Sequence, residues 1–316
     1  MMEASYKKHF PVMLPEVLHY LAPRDGEVYV DATFGNGGYT EAVLKAAQCK
    51  VIAIDRDPTV LPRVQEFQEK YGHRFIFKQG CFSQIENLID SPVNGFMFDI
   101  GVSSMQLDQA DRGFSFSKPA PLDMRMSCNG PTAADLVNSL SEHDLADLIY
   151  TYGEERKSRQ IAAKIVAYRS QKSIETTTEL ANIIYSILHR TPNGIDPATR
   201  TFQALRIAVN HELDELKDGL RAAVHLLYPQ GRIVVVSFHS LEDRIVKTFF
   251  KEHSDAKVHI SRYQPQHNIS AGAPLTNVSK AIVPSQQEVE INPRSRSAKL
   301  RCAIKNDNEP ERNAYE

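Results

Sequence analysis

Apolar runs of strand length alternate with amphipathic stretches through the first hundred residues. Residues 28–32 (VYVDA), 50–55 (KVIAID), 75–79 (FIFKQ) and 95–101 (GFMFDIG) each predict a short buried strand. Helical periodicity separates them, over Tyr39–Ala47 and from an Asp57-Pro58 start to about Tyr71. Residues 11–22, PVMLPEVLHYLA, predict a further short helix with Val17, Leu18 and Leu21 on one side, placed to cover a site entrance. Strands alternating with helices imply a parallel sheet with crossover connections, whose ligands sit at the carboxyl ends of the strands.

The pattern changes near residue 105. From there to about 205 it is helical, with helices expected at 132–139, 141–152, 155–170 and 176–188 and turns at Asn129-Gly130-Pro131 and Pro192-Asn193-Gly194. A long helix over roughly 202–228 leads to strand GRIVVVSF (231–238). A helix from Ser240 to about His253 follows, with Ser240 and Asp243 as its cap. A polar loop (254–290), a last strand KLRCAIK (299–305) and a polar tail (306–316) complete the chain. The reading is an α/β domain split in sequence, 1–104 with 206–316, around an inserted helical domain, 105–205.

Bulk properties narrow this only a little. The 316 residues are 42% hydrophobic and 24% charged, with a net charge of −2, so any nucleic-acid site must be a local patch. Cys49, Cys81, Cys128 and Cys302 are scattered without a C-x-x-C pair, which argues against a metal site and for a reducing compartment. No segment has membrane-spanning character, and MMEASYKKHF lacks the apolar core of a signal sequence. A cytoplasmic location without membrane partners is therefore expected.

The chemistry concentrates at the strand ends. VYVDATFGNGGYT (28–40) runs from a strand through Gly35, Gly37 and Gly38 into a helix, the nucleotide-binding turn of α/β proteins. It is not a dinucleotide fingerprint, because Thr40 stands where the third glycine belongs. Asp31 would repel a pyrophosphate but suits a cationic ligand with an amino-acid end, as in S-adenosylmethionine. Asp55 closes the next strand, placed for ribose hydroxyls, and Asp99 closes the fourth. Phe82 either presses on an adenine ring or packs in the core. The turn could also be no more than a tight strand–helix junction.

DIGVSSMQLD (99–108) follows the fourth strand, where an acid and small hydroxyls can hydrogen-bond an exocyclic amine. Asp99 and Ser103 are the candidates, Ser103 and Ser104 being equally suited to cap a helix. His239 lies at the end of strand 231–238 and is either catalytic or structural. RGFSF (112–116) and PLDMRM (121–126) mix aromatics, methionines and charges, as a base-stacking surface or a self-packed loop would. Arg200, Phe202, Gln203 and Arg206 could hold phosphate and base. Arg294, Arg296, Lys299 and Arg301, in NPRSRSAKLR with no acid among them, form the best phosphate-binding segment by composition. Helix 155–170 is basic and amphipathic, with Arg156, Arg159, Lys164 and Arg169 off its apolar side, as on many solvated surfaces.

Nine blocks in order, DATFGNGGYT, AIDRDP, DIGVSSMQLD, RGFSF, PLDMRM, YGEE, DPATRTFQALRI, SFHSLEDRIVK and NPRSRSAKLR, resemble the RsmH/MraW methyltransferases from about His9 to Lys305. The resemblance implies a class I S-adenosylmethionine-dependent methyltransferase: a Rossmann-like, mostly parallel sheet with an inserted all-helical domain. It implies methylation of the N4 amine of a decoding-centre cytosine in small-subunit ribosomal RNA, presented in an assembled subunit. By position it makes Gly37, Gly38, Tyr39, Asp55, Phe82, Asp99 and Gln106 cofactor contacts. Tyr39 replaces a common histidine, and Lys118-Pro119-Ala120 replaces the usual acid-glycine approach to PLDMRM. It leaves the proton acceptor and the oligomeric state open, a homodimer included. Methylation of DNA or protein, and a non-catalytic assembly factor, are the competing readings. Asp99-Ile100-Gly101-Val102 lacks the Pro-Pro-aromatic run of DNA amino-methyltransferases.

Overall fold

The computed structural model describes residues 11–189, 191, 194–254 and 273–307. It divides into two compact units, Met1–Gly101 with Asp214–Glu316, and Val102–Leu213. Within the first unit lie strands β1 (Val28–Asp31), β2 (Lys50–Asp55), β3 (Phe75–Gln79), β4 (Val93–Asp99), β5 (Leu227–Ser237), β6 (Leu275–Thr276) and β7 (Lys299–Lys305). They form one sheet in the order β3-β2-β1-β4-β5-β7-β6. Pairings from β3 through β5 are parallel, and β7 runs antiparallel to both neighbours.

The central strands carry near-continuous apolar runs because both faces are covered. Alternate residues serve different cores: Tyr29, Val51, Ala53 and Met97 pack on one side, and Val30, Ile54, Phe96 and Phe98 on the other. The first core is roofed by α1 (Leu14–Leu21), α2 (Gly38–Ala46) and α3 (Leu61–Tyr71). α1 lies directly on the sheet: a Cβ on Gly95 of β4 would come within 2.8 Å of Leu21. The second core is closed by the short α4 (Ile85–Leu88), which contributes Ile85, and by helices that follow the insert.

The second unit holds α5 (Ser104–Asp108), α6 (Ala133–Ser139), α7 (Glu142–Gly153), α8 (Ser158–Arg169), α9 (Thr177–Tyr185) and α10 (Thr199–Asn210). Leu145, Ile149, Ile161, Ile165, Leu180 and Leu205 form its own fully buried core. Ser141 and Thr176 cap α7 and α9 through their hydroxyls, as their positions before acid-bearing first turns require.

Several expected boundaries move. The long helix over 202–228 is two helices, α10 and α11 (Glu212–Leu226), broken at His211, whose φ is 52°. The expected division at 205/206 therefore falls inside α10, which lies whole within the second unit. The helix after β5, α12 (Ser240–Glu252), is capped by His239 rather than Ser240. The expected loop 254–290 contains β6 and α13 (Gln286–Ile291). Its residues 255–272, the tail 308–316, the N-terminal segment 1–10 and Pro192-Asn193 of the expected turn lie outside the described residues. Among the described residues, no helix is long and apolar enough to cross a membrane.

Candidate active site

The sheet register brings the three strand-end acids together. Asp31 pairs with Ala53 and Met97, so Asp55 and Asp99 each extend two residues beyond its level on the flanking strands. The Asp31 carboxylate is buried and holds the turn that follows it. Oδ1 accepts from the Thr33 amide at 3.1 Å and Oδ2 from the Thr40 hydroxyl at 2.7 Å. Thr40, the residue that breaks the dinucleotide pattern, thus replaces a glycine with a hydroxyl donor to the acid. Asp55 secures the same loop from β2. Its Oδ2 accepts from the Gly35 amide at 2.7 Å and its Oδ1 from the Asp57 amide at 2.8 Å.

Two of the glycines have steric duties. Gly37 caps α2 with φ 76°, and a Cβ there would lie 2.5 Å from the Phe67 ring. A Cβ on Gly38 would lie 2.3 Å from Pro11. Tyr39 is buried, and its hydroxyl donates to the Val12 carbonyl, so its side chain is committed to the fold while its amide stays in the first turn of α2. Phe82 is half-buried. It meets Phe98 edge-on at 6.0 Å and is close enough to Gly219 that a Cβ there would collide with its ring. One flank of Phe82 therefore belongs to the core.

Asp99 is held differently. Its amide donates to Thr33 Oγ1 at 2.7 Å, but Oδ1 of its carboxylate is buried without a hydrogen-bond partner. Burial, then the neighbouring charges of Asp31 and Glu242, push its pKa up to about 8. Burial also raises Asp31 and Asp55 to about 6, against the hydrogen bonds that both accept. Three acids held above their ordinary range, beside the first-turn amides of α2, make a site that a cation with an amino-acid end would relieve.

His239 follows β5 at the same end of the sheet. Glu242, fully buried, lies 3.0 Å from its Nε2 through Oε1, while Oε2 accepts from the amides of Phe238 and His239 at 2.8 and 3.2 Å. The Glu242 amide in turn donates to Nδ1 at 3.4 Å. His239 thus lies beside a carboxylate that the sequence reading missed, although an acid three residues after a cap was there to be seen.

In the second unit, Ser103 caps α5: its hydroxyl accepts from the Gln106 amide at 3.2 Å, and the Gln106 carboxamide accepts from the Ser103 amide at 3.0 Å. Arg112 is buried and donates to the carbonyls of Arg125 and Met126 at 2.9 and 3.1 Å. Phe114, Leu122, Met124 and Met126 lie in the core, so RGFSF and PLDMRM form the self-packed loop of the two alternatives. The Lys118-Pro119-Ala120 departure is absorbed by backbone groups: Thr177 donates to the Lys118 carbonyl through Oγ1 at 3.0 Å and to the Ala120 carbonyl through its amide at 2.9 Å.

The expected RNA contacts divide. Phe202 is not available for stacking, because it is buried and meets Phe116 edge-on at 4.7 Å. Arg206 is bidentate on Glu212 at 2.8 and 2.9 Å, and both side chains are largely buried. Arg200 is exposed and donates to the Glu154 carbonyl at 3.2 Å, and Gln203 donates to the Tyr152 carbonyl at 3.0 Å. In the other segment, Arg294 and Arg296 are exposed. Arg301 and Lys299 are paired to Asp243 at 2.7 and 3.0 Å, an acid supplied by α12 that composition within NPRSRSAKLR could not reveal.

The strand order and the acid-rich strand ends define an α/β fold of the class I methyltransferase type. The chain belongs to the MraW methylase family, whose model matches residues 6–306. It is 51% identical over 307 residues to ribosomal RNA small subunit methyltransferase H of Paramagnetospirillum magneticum, covering 95% of this chain and 96% of that one. It is 50% identical over 300 residues to the protein of the same name from Rickettsia massiliae, covering 94% and 98%. A solved SAM-dependent O-methyltransferase from Thermotoga maritima covers 97% of this chain and 70% of its own at 10% identity, with a TM-score of 0.44.

Proposed function

We propose that this chain methylates the N4 amine of a cytosine near the decoding centre of small-subunit ribosomal RNA, acting in the cytoplasm on an assembled subunit. The coarser activity, S-adenosylmethionine-dependent methylation of small-subunit ribosomal RNA, follows from the family and its curated relatives. When bound, S-adenosylmethionine supplies an electrophilic methyl group on a sulfonium. Asp31, Gly35, Gly37, Gly38, Tyr39 through its backbone, Asp55, Phe82 and Asp99 are the residues of the first unit that would hold it, with Gln106 assigned by resemblance.

The observation that carries the acceptor side is Asp99 Oδ1, buried and unpartnered at the end of β4. A cytosine amine is a poor nucleophile because its lone pair is delocalised into the ring. An acceptor on its N–H favours pyramidalisation as the methyl is taken, and a carboxylate with a pKa near 8 can receive the proton that the amine must lose. His239 is the second catalytic candidate at this end of the sheet, with both ring nitrogens facing Glu242, and the Ser103 hydroxyl is a further candidate for hydrogen-bonding the amine.

The test is methyl transfer from labelled S-adenosylmethionine to small subunits lacking their native methylations, with wild type and Asp99→Ala in parallel and donor binding measured on both. N4-methylcytidine formed by wild type, and lost in a variant that still binds the donor, is the expected result. Donor binding without transfer to subunits would overturn the acceptor assignment. Absence of both binding and transfer would favour the assembly-factor reading.

A further inference from the structure

The ladder between β1 and β4 ends in a side chain. Its last main-chain bond runs from the Ala32 amide to the Met97 carbonyl at 3.0 Å. Two residues on, where a continued ladder would take the Phe34 amide to β4, that amide donates instead to the Ile54 carbonyl of β2 at 2.9 Å. The Asp99 amide would donate to a β1 carbonyl in the same continued ladder. It donates to the Thr33 hydroxyl instead, at 2.7 Å. On its other edge β4 stays regular: Asp99 pairs with Val236, and the Ile100 amide donates to the Val236 carbonyl at 2.9 Å.

Thr33 thereby touches two acids. Its amide donates to Oδ1 of Asp31 at 3.1 Å, and its hydroxyl accepts from the Asp99 amide. One residue thus joins the strand end on the donor side to the strand end on the acceptor side. Oδ1 of Asp99 is buried with no hydrogen bond to steer it, so its place depends on the main chain that carries it. Among the described residues, the Thr33 hydroxyl makes the last bond to that main chain from the β1 side. Gly101, with φ 109°, ends the extended run two residues later. In-line transfer is sensitive to such placement, a displacement of about 1 Å costing on the order of 100-fold in rate.

We propose that Thr33 is a positioning residue of the methyl transfer, its hydroxyl holding the Asp99 main chain so that Oδ1 meets the attacking amine, while its amide holds Asp31 on the donor side. This role rests on the reading of Asp99 as the group that receives the amine. Thr33 touches neither the methyl nor the amine. It acts through Asp99, and an oxygen at its γ position is the feature required of it.

The experiment is single-turnover methyl transfer to small subunits lacking native methylations, at saturating S-adenosylmethionine. Each rate is counted per titrated donor site, which keeps unfolded chains out of the comparison, and donor affinity is measured alongside. The proteins are wild type, Thr33→Val, Thr33→Ser, Asp99→Asn and the double variant Thr33→Val/Asp99→Asn. Thr33→Val, similar in shape but without the acceptor, should slow transfer roughly 10- to 100-fold while donor affinity stays within about 2-fold of wild type. Thr33→Ser keeps the oxygen and should restore the rate to within about 3-fold. In the Asp99→Asn background the valine substitution should cost less than about 3-fold, because the group it places can no longer take the proton. Thr33→Ala also lacks the oxygen and carries the same test if the valine variant does not fold. A wild-type rate in Thr33→Val, or an equal cost in both backgrounds, would overturn the positioning role and leave the Asp99 reading intact. A wild-type rate in Asp99→Asn would overturn both.

Discussion

Gly35 donates its amide hydrogen to Oδ2 of Asp55 at 2.7 Å, so the glycine turn after β1 is held by the acid that ends β2. The same carboxylate accepts from Asp57, at the start of the following helical segment. An acid expected only to grip ribose hydroxyls is therefore also a structural tie between two loops.

Asp55→Ala should lose both roles. Two loop amides would be left without their acceptor, costing about 1–3 kcal/mol of stability, and the donor affinity should fall roughly 10- to 100-fold. Urea unfolding alongside calorimetric titration of S-adenosylmethionine separates the two. A variant with normal stability and weakened donor binding would mean that the loop does not depend on this tie.

The Asp99 pKa of about 8 predicts a definite pH dependence. Near neutrality the folded chain holds a proton that an unfolded aspartic acid, ordinarily near 3.8, has released. Its contribution to stability is thus full below about pH 4 and is lost as pH rises through 8. Binding of a cationic donor favours the carboxylate form, so donor affinity should rise between pH 6 and 8 with release of protons. Titration calorimetry at pH 7 in two buffers of different ionisation enthalpy counts them. Asp99→Asn should release fewer, and an unchanged count would assign the coupling to Asp31 or Asp55.

Gly37 and Gly26 offer a paired test of steric demand. Both have positive φ, 76° and 82°, but a Cβ on Gly37 collides with Phe67 and Phe34, whereas one on Gly26 meets nothing within 4 Å. Gly26→Ala should cost about 1 kcal/mol from backbone strain alone, and Gly37→Ala about 2–4 kcal/mol. Thermal unfolding of the two variants reads the difference. Equal costs would show that the aromatic cluster gives way freely.

Asp243 joins α12 to β7. Burial alone would raise its pKa, but hydrogen bonds from Arg301 and Lys299 hold it below the ordinary range. It therefore stabilises the fold above the usual carboxylate range, and that support is lost as pH falls below it. Asp243→Ala leaves Arg301, 11% exposed, without its counter-charge and should cost about 2–3 kcal/mol in chemical denaturation. Substituting Arg301 should likewise act through stability, while substituting the exposed Arg296 should leave stability unchanged and weaken RNA binding.

What could be read beforehand follows the physics of each element. The four leading strands were visible because burial on two faces demands continuous apolar runs, and their terminal acids stood out against them. The two-residue β6 has no pattern of its own. The break between α10 and α11 falls on His211, a non-glycine in left-handed conformation that no local rule marks. Phe202 looked like a stacking residue because its neighbours Arg200, Gln203 and Arg206 are polar. Its depth in the core comes from Phe116, far away in sequence. Lys299 and Arg301 looked unneutralised for the same reason: their acid arrives from another element.

The pairing of β4 with β5 places Asp99 beside Val236, across the whole of residues 102–213. During synthesis the first four strands emerge together, and their continuation follows only after the insert has been made, a delay on the order of ten seconds at ordinary elongation rates. Throughout that interval β4, destined for the middle of the sheet, presents an unpaired edge of apolar residues to its surroundings. The nascent chain must either fold the insert first or keep that edge guarded. The order of the genetic message thus decides which half of this protein is vulnerable before the enzyme exists.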